Sequence, residues 1–90
     1  MKVYDLPCFD NRKSFYGKAQ VFELDNGGKV LKSYNTFVCE LTPEKEFVKL
    51  WDGYSATTMR HINSFLRFLG YENGGKTFWD MCSVNDPIYL

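Results

Sequence analysis

Hydrophobic residues recur at helical spacing in one segment of the chain, residues 56–69. At about 100° per residue, its apolar side chains fall on one side of a helix and its polar side chains on the other. The apolar set is Met59, Ile62, Phe65, Leu66 and Leu69, and the polar set is Arg60, Asn63, Ser64 and Arg67. Ser55 or Thr57 can cap the start, and Gly70 can stop the helix with Tyr71 as the apolar residue beyond it. The pattern predicts one amphipathic helix.

A second pattern, rich in aromatic and β-branched residues, predicts strands before this helix. The ranges are 15–24, 29–31, 36–41 and 46–51. An Asn-Gly-Gly run in the turn at 25–28 and Pro43 in the turn at 42–45 predict two hairpins. The return strand of the first hairpin is expected to be interrupted or bulged at 33–35, where Ser33 and Asn35 compete for backbone hydrogen bonds.

Alternation along these strands distributes the side chains over the two faces of a sheet. It predicts Phe37, Cys39 and Leu41 on one face and Val38 and Glu40 on the other. Both faces are partly apolar, so we expect the helix to cover one face and exposed aromatics such as Trp51 to lie on the other. Beyond the helix, residues 77–82 are predicted as a short strand or turn and 83–90 as a tail.

These elements predict a single α+β domain over residues 1–90. Its architecture is an antiparallel sheet of four to five strands with one amphipathic helix packed on one face. A chain of 90 residues has no room for a second domain and needs a dense core, which its 18% aromatic content can supply. Some of these aromatic residues are also of the kind found at protein interfaces.

Charge and cysteine content narrow the possible environments and partners. Eleven basic and eleven acidic residues give no net charge, which argues against non-specific phosphate binding but allows a local basic patch. The apolar runs are too short for a membrane span, and residues 1–5 lack the apolar stretch of a signal peptide. Three widely spaced cysteines, Cys8, Cys39 and Cys82, do not resemble a secreted disulfide framework. We therefore expect a cytoplasmic protein with reduced thiols and no membrane association.

The residue types that carry out chemistry do not form a recognisable set. Cys39 and His61 match no known Cys–His spacing, and metal binding lacks close ligand pairs. The Glu-Asn-Gly-Gly-Lys-Thr run at 72–77 resembles the end of a phosphate-binding loop, but it follows the predicted helix instead of leading from a strand into one. We therefore predict a non-enzymatic protein without a cofactor.

The remaining hypothesis is that the protein binds another macromolecule, and two classes of partner are considered. An aromatic patch for a host protein has Trp51, Phe47 and Trp79 as its candidate residues, because Trp anchors dominate interface energetics. The alternative is a nucleic-acid-binding accessory or regulatory protein that uses Arg60 and Arg67, although the second helix of a helix-turn-helix is not found. The balanced charge favours the protein partner.

Two runs of the sequence, "SYNTFVCEL" and "WDGYSATTMRHINSFLRFLG", carry a resemblance that covers residues 33–70. The pattern resembles small uncharacterised proteins of Gram-positive phages, plasmids and integrative elements, although Asp52-Gly53 separate Trp51 from Tyr54. The matching positions are Ser33, Tyr34, Asn35, Thr36, Trp51, Tyr54, Ser55, Thr57, Thr58, Arg60, His61, Phe65 and Leu66. The resemblance implies a mobile-element setting, in which small non-enzymatic proteins often inhibit host defence, as anti-CRISPR proteins do.

The single histidine, His61, has two interpretations. In the first, His61 and the Tyr34 hydroxyl satisfy hydrogen bonds that join the "SYNT" turn to the start of the helix. In the second, Tyr34, Arg60 and His61 border a binding site at the helix N-terminus, where free amides favour an anion or a partner's carboxylate.

Overall fold

The computed structural model describes residues 1–7, 17–72 and 74–90. Three sets of residues named in the sequence analysis lie outside this part of the chain: Cys8, the first two residues of the strand predicted over 15–24, and Asn73. The strands are Lys2–Asp5 (β1), Ala19–Glu23 (β2), Lys29–Ser33 (β3), Thr36–Leu41 (β4), Glu46–Lys49 (β5) and Ile88–Tyr89 (β6); the helices are Ala56–Phe68 (α1) and Gly75–Met81 (α2).

All six strands join one antiparallel sheet, in the order in which they occur along the chain. The α+β class and the antiparallel sheet are confirmed. The described residues form more elements than predicted, because β1 and β6 extend the sheet at its two edges and α2 follows α1. The predicted tail ends in β6, where Ile88 pairs with Phe47.

Both predicted turns form, and each is closed by a local hydrogen bond. Gly27 adopts φ +92°, and the Asn26 side chain accepts a hydrogen bond from the Gly28 amide at 2.8 Å, so the β2–β3 turn is closed locally. The β4–β5 turn closes through the Lys45 amide, which donates to the Thr42 carbonyl at 2.9 Å. The expected interruption near 33–35 is a tight turn at Tyr34 and Asn35, between β3 and β4.

A bulge in β4 changes which side chains face the core. Leu31 lies opposite Cys39 and Lys32 opposite Phe37, so Val38 is left as an extra residue. The prediction that Phe37 shares a face with Cys39 is therefore wrong. Val38 and Cys39 are both buried, whereas Phe37 is 45% exposed. A strict period of two does not continue through a bulge.

Helix α1 begins and ends where its sequence indicates. The Ser55 side chain accepts a hydrogen bond from the Thr58 amide, and Gly70 adopts φ +93° while its amide donates to the Arg67 carbonyl. The predicted apolar residues face the core. Ser64 is the exception on the polar side, because it is buried.

Helix α2 replaces the strand or turn predicted for 77–82. Its start is fixed from α1, because the Asn63 side-chain oxygen accepts a hydrogen bond from the Gly75 amide at 2.8 Å. Its other end is fixed from β5, because the Lys49 ammonium donates to the carbonyls of Trp79 and Cys82 at 3.0 and 3.4 Å. Both partners are distant in sequence, which explains why local pattern did not predict this helix.

Both helices contact the same face of the sheet. On that face Ser33 bonds to His61 of α1, and Phe47 packs against Phe78 and Trp79 of α2. We call it the helix-covered face. We call the opposite face the open face, because neither of the described helices packs on it. It carries Val3, Phe22, Val30, Lys32 and Phe37, which pair or lie next to one another across β1 to β4. Within the described chain neither helix has the length and hydropathy that a membrane span requires.

Candidate binding site

His61 lies in a buried polar junction between β3 and α1. Its Nδ1 is 2.7 Å from the Ser33 hydroxyl, which is also 3.2 Å from the Thr58 hydroxyl. All three side chains are buried, and His61 is 1% exposed. The junction therefore joins the last residue of β3 to the first turns of α1 through polar groups that are removed from water.

Burial sets the charge of this histidine. Burial, with smaller contributions from the positive charges of Arg60 and Lys18, lowers the pKa of His61 to about 4. The imidazole is therefore neutral at pH 7. A neutral, buried imidazole can satisfy a hydroxyl, but it contributes no positive charge to an anion site.

Tyr34 and Arg60 lie beside this junction, but both are more exposed than its three buried side chains. The Tyr34 ring centroid is 5.7 Å from that of His61, and the residue is 49% exposed at a backbone φ of +52°. Arg60 is half-buried. The structure thus places the Tyr34 ring and the charge of Arg60 near His61, but the hydrogen bond to the helix comes from Ser33.

The aromatic residues chosen from sequence as a binding patch do not form a surface. Phe47 is fully buried and Trp79 is 1% exposed, because α2 packs on β5 and encloses both rings. Trp51 is half-buried, and its ring lies against the backbone of Gly53. Assigning Phe47 and Trp79 to an exposed patch was therefore wrong, since it took no account of a second helix.

Lys49 is a charged side chain inside this aromatic core. It is 5% exposed, and its ammonium lies 4.4 Å from the Trp79 ring and 3.7 Å from the exposed Asp52 carboxylate. Together with its two carbonyl acceptors, these contacts satisfy the ammonium within the protein. Lys49 therefore connects β5 to the end of α2 and acts as a C-terminal cap.

Neither described cysteine has the environment of a nucleophile. Cys39 and Cys82 are buried free thiols. Burial raises the pKa of Cys39, with a further contribution from Cys82, and burial also raises the pKa of Cys82. Both thiols are therefore protonated at neutral pH, whereas a nucleophilic cysteine needs its thiolate.

Arg67 lies apart from the His61 junction, on the exposed side of α1. It lines an open cleft of about 440 Å³ with Asn63, Tyr71, Glu72, Gly74 and Gly75. Because Glu72 and Arg67 both line the cleft, its lining has mixed charge. Among the described residues, no three His, Cys, Asp or Glu side chains are grouped as metal ligands.

The open face carries an aromatic–cation cluster that sequence reasoning did not identify. The Phe22 and Phe37 rings meet edge to face, with centroids 5.1 Å apart. The Lys32 ammonium lies 5.9 Å from the Phe22 centroid and 5.6 Å from that of Phe37. We call these three residues the Phe–Lys–Phe cluster. Alternation along the β2–β3 hairpin could have predicted that Phe22 and Lys32 share a face. The position of Phe37 on that face could not be predicted in this way, because it depends on the bulge in β4.

Comparison with known proteins identifies the family of the chain. The chain belongs to a family of unknown function (DUF8033), whose model matches residues 4–81. The match includes β2 to β5 and both helices, together with the His61 junction and the Phe–Lys–Phe cluster. No curated protein and no solved structure matches the chain.

Proposed function

We propose that this family member is a non-enzymatic protein that acts by binding another protein through its open face. The observation that carries the proposal is the Phe–Lys–Phe cluster. Phe37 is 45% exposed, and Val3 at 44% exposed extends the apolar surface along the same face. A contiguous apolar patch with an embedded cation has the composition of a protein interface, in which aromatic residues supply most of the binding energy.

A protein partner fits this face better than a nucleic acid. The Phe–Lys–Phe cluster has one cation, and Glu40 pairs with Val30 on the same face. A nucleic-acid surface would instead line up several cations along the phosphate backbone. Arg60 and Arg67, the residues of the nucleic-acid alternative, lie on α1, which packs on the other side of the sheet.

The setting that we propose is a phage or another mobile element, with the protein acting in the cytoplasm of the host cell. The resemblance of residues 33–70 to proteins of such elements supports this setting. The partner would be a host protein, and inhibition of a defence system, as by anti-CRISPR proteins, is the activity that we propose. The neutral His61 and the protonated buried thiols support a role without turnover.

Affinity capture from host lysate tests the proposal. The wild-type protein should recover one stoichiometric partner after nuclease treatment, and Phe37→Ser should lose at least nine-tenths of it, a tenfold effect of the size expected for one anchor residue. Tyr54→Ser is the matched control, because Tyr54 is 48% exposed but lies before α1, near Lys76 of α2.

A gel-shift assay with DNA and RNA accompanies the capture. Retention of the partner by Tyr54→Ser and its loss by Phe37→Ser would support the open face as the contact surface. Shifts that weaken steeply with salt and disappear on replacing Arg60 and Arg67, without any captured protein, would establish the nucleic-acid alternative instead.

A further inference from the structure

The charge of the Phe–Lys–Phe cluster indicates what a partner must present. The Lys32 ammonium lies beside the two rings, which contact each other, and no carboxylate of the described residues is within salt-bridge distance of it. Lys32 is half-buried, so part of the side chain is accessible to water in the free protein. A partner that covers the open face would remove that water, and the two rings would compensate only part of the loss.

We infer that the partner presents one carboxylate to Lys32, with neighbouring apolar side chains that pack against Phe22 and Phe37. This inference rests on the proposed function. An ammonium that becomes buried without a counter-charge is strongly unfavourable, whereas a carboxylate bonded to it restores the lost interaction. The recognised element is therefore an acidic residue within an apolar segment.

The rest of the open face limits how much negative charge the partner can bring. Glu40 lies opposite Val30, which in turn pairs with Phe22 of the cluster, and Asp5 lies at the β1 edge opposite Gln20. These carboxylates would repel a polyanion. The face therefore fits a single acidic residue, and a nucleic acid or a run of acidic residues fits it poorly.

A display library of random 12-residue peptides, selected on the immobilised full chain, provides the probe. We expect enriched peptides to carry one Asp or Glu next to large apolar residues. By fluorescence anisotropy, Lys32→Gln should weaken their binding about tenfold, while Lys32→Arg should keep most of it. Lys29→Gln is the matched control, since Lys29 lies on the same strand but on the helix-covered face, and it should leave the affinity unchanged.

A double-mutant cycle shows whether the acid contacts this lysine. Replacing the acidic residue of the peptide with its amide should cost about tenfold on the wild-type protein and almost nothing more on Lys32→Gln. Equal losses on both proteins would overturn the inference. Peptides that lack an acid, bind Lys32→Gln normally and are lost on Phe37→Ser would also overturn it, while leaving the proposed function intact.

Two further outcomes concern other occupants of the open face. If no enriched peptide is sensitive to Phe37→Ser, the proposed function fails together with the inference. If the wild-type chain sediments as a dimer that Phe37→Ser dissociates, the occupant is a second copy, and the inference of a foreign acidic segment is wrong. Salt-sensitive binding of a fluorescent 12-mer of oligothymidine that Lys32→Gln abolishes would assign the cluster to nucleic acid.

Discussion

The two faces of the sheet use the same residue types for different purposes. On the helix-covered face, Phe47 is fully buried, and Lys49 is 5% exposed with its ammonium bonded to two carbonyls. On the open face, Phe37 is 45% exposed, and the Lys32 ammonium lies near the Phe22 and Phe37 rings without a carboxylate of the described residues within salt-bridge distance. The comparison shows that the residue type of a phenylalanine or lysine in a strand does not determine its role. The role depends on whether another element packs on the face of the sheet that carries the side chain.

The physical difference is whether the protein itself satisfies the side chain. α2 and the residue that ends it supply ring contacts for Phe47 and carbonyl acceptors for Lys49, so both residues belong to the fold. The Phe–Lys–Phe cluster still has apolar area and a charge that a partner can complement. If this distinction is correct, matched substitutions on the two faces will separate into effects on stability and effects on binding.

The largest expected difference is between two phenylalanines. Phe47→Ala should lower the free energy of unfolding by about 3–5 kcal/mol, because it leaves a cavity against Phe78 and Trp79. Phe37→Ala should cost about 1 kcal/mol or less, the value of its ring contact with Phe22. Urea denaturation followed by far-UV circular dichroism measures both. Similar losses for the two variants would contradict the assignment of the faces.

The pH dependence of stability tests the buried junction on the helix-covered face. The pKa of His61 is about 4 in the folded protein and about 6.5 in an unfolded chain, so the unfolded state binds the proton first as pH falls. The contribution of the neutral His61 to the free energy of unfolding is complete above pH 6.5 and is lost as pH falls from 6.5 to 4. About 2 kcal/mol should be lost by pH 5, and about 3 kcal/mol by pH 4.

His61→Gln is the control for this titration, because the chain has one histidine. The variant should be less stable at pH 7 but nearly independent of pH between 6.5 and 5, where the carboxylates are still largely ionised. Urea midpoints in this range provide the measurement. A wild-type stability that is constant from pH 7 to 5 would show that His61 is accessible to protons in the folded state.

The two lysines provide a smaller contrast. Lys49→Met should lower stability by about 1–3 kcal/mol, because the carbonyl of Cys82 loses its ammonium donor and the end of α2 loses its cap. Lys32→Met should change stability by no more than about 0.5 kcal/mol, as expected for a partly exposed surface position. Thermal unfolding followed by tryptophan fluorescence compares them. A larger loss for Lys32→Met would place Lys32 in the fold and weaken its role in binding.

Local sequence predicted the elements whose determinants are local. Ser55, Gly70 and the apolar stripe between them define α1, and the turn residues at 25–28 and 42–45 define two hairpins. Helix α2 was not predicted because its ends are fixed by Asn63 and Lys49, which are distant in sequence. A two-residue strand such as β6 has too little pattern to be distinguished from a tail.

The candidate site was predicted only in part, for the same reason. The Tyr34 ring lies near His61, where the turn before β4 meets the start of α1, and Arg60 is the neighbour of His61 in α1. The exposed aromatic surface was assigned to the wrong residues, because burial depends on which face a helix covers. The exposure of Phe37 could not be predicted from alternation, because the bulge at Val38 places Phe37 and Cys39 on opposite faces of the sheet.

The most direct test of the open face is site-specific photocrosslinking in host cells. A photoreactive phenylalanine analogue replaces Phe37 in one variant and Tyr54, on the side of the helices, in the other, at positions of nearly equal exposure. We predict a covalent adduct with one host protein from position 37, unaffected by nuclease, and none from position 54. An adduct from position 54 alone, or equal adducts from both positions, would contradict the assignment of the open face as the binding surface.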